Sequence, residues 1–296
     1  MNLDSEGVRD DGAHPAAKLE EEAPAEDAAA QAPAVRRIQK RLVILATPQT
    51  GSSHCVDLLD SHPQITCLGE LFTPKGTVMS ELGMRNRKVI VEAGKSPLDF
   101  LERVTTKLEK HAKCKPVFGF KLMLHHDPRV MDHILEDPSW KVIVLERRDL
   151  LAQWMSMALA KKSARWESTG GGKGKGAEKE SDDEEDDDSD YIDDTSDDES
   201  GPVRKVTFDA WKFEQFCFRQ QARYVSLFHR LGQRPHFRLF TEEMDASHPK
   251  LLEFLGVEPM ALPAAPTREH SASMRDRIEN YDAYAKYAKR RATAST

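Results

Sequence analysis

The chain has 296 residues, enough for one large α/β domain with tails. Its four cysteines (Cys55, Cys67, Cys114 and Cys217) follow neither disulfide nor zinc spacing, so neither a disulfide framework nor a zinc site is implied, and no apolar run nears the ~18 residues of a membrane-spanning helix. The net charge of −7 is uneven: residues 1–33 and 178–199 hold 24 of the 50 acidic residues but 3 of the 43 basic ones, leaving the remainder at +14. That balance suits a polyanionic nucleotide or a sulfated product, and equally an ordinary surface offset by two acidic stretches. The N-terminus has no signal-peptide core and is too acidic for a transit peptide, so the expected location is cytoplasmic, in a reducing compartment.

Residues 1–37 are rich in Ala, Glu and Pro and read as a disordered acidic tail, because they hold too little apolar surface to offset chain entropy. The basic residues Arg36, Arg37, Lys40 and Arg41 read as a solvated lead into the first strand. Leu42 to Ala46 is a buried strand. A turn of small residues, Thr47-Pro48-Gln49-Thr50-Gly51-Ser52-Ser53, follows it, and then a helix with Cys55, Val56, Leu58 and Leu59 on one face. Strand, small-residue turn and helix N-terminus form a geometry that binds phosphate: the first N–H groups of the helix point at the anion, and small side chains let the backbone approach it. The turn lacks the Gly-Lys-Ser/Thr ending of a Walker A loop, which opposes a P-loop phosphotransferase.

His62-Pro63 reads as the helix end, since proline forbids continuation. A second strand is expected around Ile65 to Leu68, with Glu70 just after it, beside the loop. Residues 97–111 show helical spacing of Leu98, Leu101, Val104 and Leu108, and Val117 to Met123 is another buried strand. Lys121 either sits over the site or simply emerges at that strand's end. Pro128 to Leu135 is a short helix opened by its proline, and Trp140 to Leu145 a further core strand. The strand runs through Glu146-Arg147-Arg148 into an apolar helix that carries Ser156.

Residues 168–203 read as a disordered insertion, a glycine linker followed by a self-repelling acidic run. Phe208 to Leu231 is a long helix with Trp211, Phe213, Phe216, Ala222, Val225 and Leu227 as its apolar set. His236 to Phe240 is the last strand, Thr241 a cap, and Lys250 to Leu255 a short helix stopped by Gly256. Residues 38–167 and 204–296 thus form one domain: a three-layer α/β fold with a mostly parallel sheet flanked by helices.

The residues after the first strand resemble the sulfotransferase loop that holds the 5′-phosphosulfate of PAPS (3′-phosphoadenosine 5′-phosphosulfate). That loop reads Pro, Lys or Arg, Ser, Gly, then two Ser or Thr. Pro48, Thr50, Gly51, Ser52 and Ser53 fit it, and Gln49 stands where the family has a cation. The likeness continues through Leu58-Leu59-Asp60-Ser61-His62-Pro63 to Gly69-Glu70-Leu71-Phe72, as in tyrosylprotein and bacterial carbohydrate sulfotransferases. Gly119-Phe120-Lys121 and Arg147-Arg148-Asp149-Leu150-Leu151-Ala152-Gln153 are similar too, and Met274 to Tyr281 resembles the segment that closes over the nucleotide.

The resemblance implies a P-loop-like sulfotransferase fold that moves a sulfuryl group from PAPS to an acceptor hydroxyl or amine, with no metal. It implies Glu70 as base, the loop residues on the 5′-phosphosulfate, and Arg148 and Ser156 on the 3′-phosphate. With Gln49 uncharged, the transferring group needs another cation, for which Lys121, Arg147, His54 and Lys75 are the candidates. The expected partner is a small-molecule, glycan or lipid acceptor, with no nucleic acid. The alternative is a degenerate sulfotransferase fold that binds nucleotide or a partner without turnover.

Overall fold

β1 (Lys40–Ala46) is apolar without alternation from Leu42 onward because both its faces are buried. Leu42, Ile44 and Ala46 pack on one side of the sheet, and Val43 and Leu45 on the other. A computed structural model of the chain describes residues 38–72, 94–111, 114–168, 205–261 and 274–294. The expected tail, Lys75 and all but the first residue of the expected insertion lie outside the described residues.

β1 pairs with β3 (Val117–Met123) and β4 (Trp140–Glu146), and β2 (Ile65–Glu70) and β5 (His236–Phe240) form the edges. The order is β2-β3-β1-β4-β5 and every pairing is parallel. Helices α1 (Ser52–Asp60) and α6 (Met244–Leu255) cover one face. Helices α2 (Pro97–Glu109), α3 (Pro128–Glu136) and α5 (Ala210–Leu231) cover the other. This is the expected three-layer α/β fold. A third apolar group joins α4 (Leu150–Ser168), the start of α5, and Ile278 between α7 (Met274–Arg277) and α8 (Tyr281–Ala294).

Local chemistry sets the ends of these elements. Asp127 accepts the Arg129 N–H at the start of α3, ahead of Pro128, and Asp209 accepts the Lys212 N–H at the start of α5. Gly119 faces Leu42 across the ladder, and a Cβ there would lie 2.3 Å from the leucine side chain. The chain leaves β1 toward β2 on one side of the sheet and leaves β4 toward β5 on the other. The carboxyl ends of these neighbouring strands therefore open a crevice, the usual ligand position in such sheets.

Five local expectations need correction. β2 reaches Glu70, with a register shift between Leu68 and Glu70. α6 begins at Met244, not Lys250, behind a 3-10 turn at Thr241–Glu243. Thr241 makes no side-chain cap, because its hydroxyl is used elsewhere. The apolar set of α5 divides: Phe213, Phe216, Gln220, Tyr224, Leu227 and Leu231 are buried, while Trp211 and Val225 are exposed. Leu98 on α2 is exposed in the same way, and Phe100 takes the core position.

Candidate functional site

The β1–α1 loop crosses the crevice. Gly51 is the N-cap of α1, at φ 71°, and supplies no side-chain cap. A helix end of this kind leaves its first N–H groups to an external acceptor and favours an anion. A Cβ on Gly51 would lie 3.1 Å from the Thr241 methyl, so the position needs glycine for both backbone and space. Gln49 also has a left-handed backbone, at φ 62°, which is strained for a residue with a side chain.

Contacts from four directions hold that strained shape. Thr50 Oγ1 donates to the Thr47 carbonyl at 2.8 Å. Thr241 Oγ1 donates to the Thr50 carbonyl at 2.6 Å, and Arg147 Nη1 to the Gln49 carbonyl at 3.1 Å. Gln153 Nε2, buried on α4, donates to the Pro48 carbonyl at 2.7 Å and to Thr47 Oγ1 at 3.0 Å. Tyr224 on α5 donates to the Leu145 carbonyl at 2.6 Å and accepts the Thr47 N–H at 3.3 Å. Burial pushes the Tyr224 phenol up to about 12, so it stays a neutral donor.

On the β2–β3 side, the register shift brings Glu70 opposite Lys121. Lys121 Nζ lies 3.2 Å from Glu70 Oε1 and 2.8 Å from Ser53 Oγ, so one buried ammonium bridges the carboxylate and the first turn of α1. The other carboxylate oxygen lies 3.5 Å from His126 Nε2. His126 Nδ1 accepts the Met123 N–H at 3.3 Å, which places the ring proton on Nε2, toward Glu70. Burial, then His125 and Lys121, hold the His126 pKa down to about 3, so the ring stays neutral, and Nε2 makes no hydrogen bond among the described residues.

On the β4–β5 side, the Arg148 guanidinium stacks 3.9 Å above the Phe240 ring and pairs with Glu243. Glu242 accepts the backbone N–H groups of Arg148 and Asp149, each at 3.0 Å. Burial opposes ionisation of Glu242, yet those N–H groups outweigh it and hold its carboxyl below the usual range. Ser156 Oγ donates to Gln49 Oε1 at 2.5 Å.

The structure thus brings the loop, Glu70 and Lys121 together, and separately joins Ser156 to Gln49. Arg148 is engaged with Glu243, while Arg147 reaches the loop. His62, read as the helix end, is buried, with its rings' nitrogens on the Gln64 N–H and the Glu258 carbonyl. Sequence reasoning gave no role to Gln153, Tyr224 or His126 and missed the use made of Thr241. Gln153 left a signal, a polar residue beside Leu151 and Trp154 on an apolar helix face. His126 left only its place just after a core strand.

No protein-family model matches the chain. No curated protein matches it either. Among solved structures, it is similar to the sulfotransferase domain of the olefin synthase of Synechococcus PCC 7002, at 15% identity and a TM-score of 0.35, over 76% of each chain. It is similar also to the sulfotransferase domain of the curacin biosynthetic pathway, at 13% identity and a TM-score of 0.37, over 81% of this chain and 82% of that one. At this level the likeness is one of general outline.

Proposed function

We propose that the protein transfers a sulfuryl group from PAPS to an acceptor hydroxyl or amine. The observation that carries this reading is the buried Lys121 ammonium, held between Ser53 in the first turn of α1 and the Glu70 carboxylate. It joins an anion-favouring helix end to a proton acceptor across one short gap. The backbone N–H groups of Thr50 to Ser53 would hold the 5′-phosphosulfate. Arg148 and Ser156 would hold the 3′-phosphate, the guanidinium bidentately.

In-line displacement then needs three things of this chain. Glu70 takes the acceptor's proton as the new O–S or N–S bond forms. Lys121 faces the charge that grows on the bridging oxygen as the S–O bond to phosphate breaks, the position for which Gln49 offers only a neutral amide. Lys121, on one carboxylate oxygen, fixes the direction of Glu70, with the neutral His126 ring packed 3.5 Å from the other. The leaving product is PAP (3′,5′-adenosine diphosphate). The proposed acceptor is a small molecule, glycan or lipid. Among the described residues, no helix is long and apolar enough to cross a membrane.

A second reading has its own support. Gln49 and Ser156 satisfy each other, and Gln49 carries no charge. Such a loop suits a fold that binds nucleotide without turnover. Thermal shift with PAP and with ATP separates the nucleotide classes: a ligand at 100 times its dissociation constant stabilises by ~2.7 kcal/mol. Transfer of labelled sulfate from PAPS to a panel of acceptors then separates enzyme from binder. Stabilisation by ATP and not by PAP would overturn sulfuryl transfer from PAPS.

A further inference from the structure

α5 has a second apolar face that the core does not use. Trp211, Phe218 and Val225 are 60%, 68% and 61% exposed. Steps of seven residues keep them within ~40° around the helix, so they form a single stripe ~21 Å long. Ala222, also exposed, lies in the same stripe. Lys212, Arg219, Arg223 and Arg230 run along one flank, Arg230 paired with Asp132 on α3. The other flank carries Glu214 and Gln221. A lone exposed apolar side chain needs no explanation. Aromatic residues in line beside arginine have the composition of an interface core.

We propose that this stripe is the docking surface for the acidic stretch 178–199 of the same chain. Tyr191 and Ile192 would lie against Trp211 and Phe218, and the carboxylates around them would face Lys212 and Arg219. Three observations favour this occupant. The first is charge: the stretch holds fifteen acidic residues and one basic, against a flank of four basic side chains. The second is pattern, since Tyr191 and Ile192 are adjacent and are its sole apolar residues.

The third observation is reach. Ile192 is thirteen residues before Lys205, where the described chain resumes at the foot of α5. Thirteen residues span up to ~45 Å, about twice the length of the stripe. Tethering at that distance gives millimolar effective concentration, enough to populate a weak contact. A second copy fits less well, because its stripe would bring four more basic side chains per helix against one glutamate. The proposal does not depend on sulfuryl transfer, as none of the groups assigned to it lies on this face.

Acrylamide quenching of Trp211 in the full chain tests it, with a Trp211→Phe chain subtracting the other tryptophans. Trp211 is exposed, so its substitution leaves the core undisturbed. In the parent, Trp211 should be quenched two- to fivefold less than in a Tyr191→Ser/Ile192→Ser chain. The protection should fall in 1 M NaCl, where charges are screened beyond ~3 Å, and be independent of protein concentration. Full quenching in the parent would overturn the proposal. So would protection that survives the double substitution. Protection that grows with protein concentration would assign the face to a second copy instead.

Discussion

The two sides of the crevice are built differently. On the β2–β3 side, the side chains of Lys121, His126 and Glu70 are 5%, 5% and 16% exposed, and strand register sets Lys121 opposite Glu70. On the β4–β5 side, the paired side chains of Arg148 and Glu243 are 51% and 47% exposed. A buried ion pair is fixed because separating it leaves a charge without solvent. An exposed pair is worth ~1 kcal/mol at most, and a phosphate dianion can replace its carboxylate. On the proposed function, the difference is a division of labour: rigid groups where bonds would change, and an exchangeable guanidinium where a nucleotide would be held.

Lys121 gives the largest break in that comparison. Lys121→Met should cost ~10²–10³ in sulfuryl transfer, the usual loss for one preorganised donor. Gln49→Arg should give little or no gain if Lys121 already fills the cationic role. A large gain from Gln49→Arg with Lys121→Met harmless would refute compensation and favour the non-catalytic reading. Since Lys121 is buried, PAP binding and the melting curve are measured on the same variant to separate chemistry from unfolding.

Glu70→Gln comes next, with turnover expected to fall ~10²-fold or more. The swap is nearly isosteric, so PAP affinity and melting temperature should stay close to the parent. Unchanged turnover would remove Glu70 from the reaction.

The exposed side should respond in binding alone. Arg148→Ala should weaken PAP by ~10–150-fold, corresponding to ~1.5–3 kcal/mol. Glu243→Gln should tighten PAP by about two- to fivefold, because it frees the guanidinium from its surface partner. Calorimetric titration reads both, and equal PAP affinity in Arg148→Ala would show that the guanidinium does not hold the nucleotide.

The last effect is one of pH. Folded His126 stays neutral down to about 3, while an unfolded histidine takes up its proton near ~6.5. Between those values the unfolded chain binds more protons, so stability falls as pH falls, by up to about 1.4 kcal/mol per pH unit. Above ~6.5 this contribution is flat. His126→Gln should flatten denaturant-derived stability across that window, and an unaltered slope would show that the folded ring is not held neutral.

Local composition was enough for much of the fold. β1, β3 and β4 were legible because strands buried on both faces must be largely apolar without alternation, and few other segments are. The β1–α1 loop was legible because close backbone approach demands small residues in sequence. Gly256 marked the end of α6, where the backbone turns left-handed at φ 64°. The buried face of α5 was not legible, since Trp211 and Phe213 look alike until the sheet position is known.

By itself, then, the sequence determined the strands, the turn chemistry and the three-layer class, because each follows from a few neighbouring residues and their periodicity. Tertiary structure alone decided who meets whom in the crevice. The shift between Leu68 and Glu70 set Glu70 opposite Lys121, and helices far along the chain brought Gln153, Tyr224 and Thr241 to the loop. Ser156 found Gln49 from 107 positions away. Such pairings depend on how whole elements pack, and a side chain's own neighbours in sequence carry no record of that.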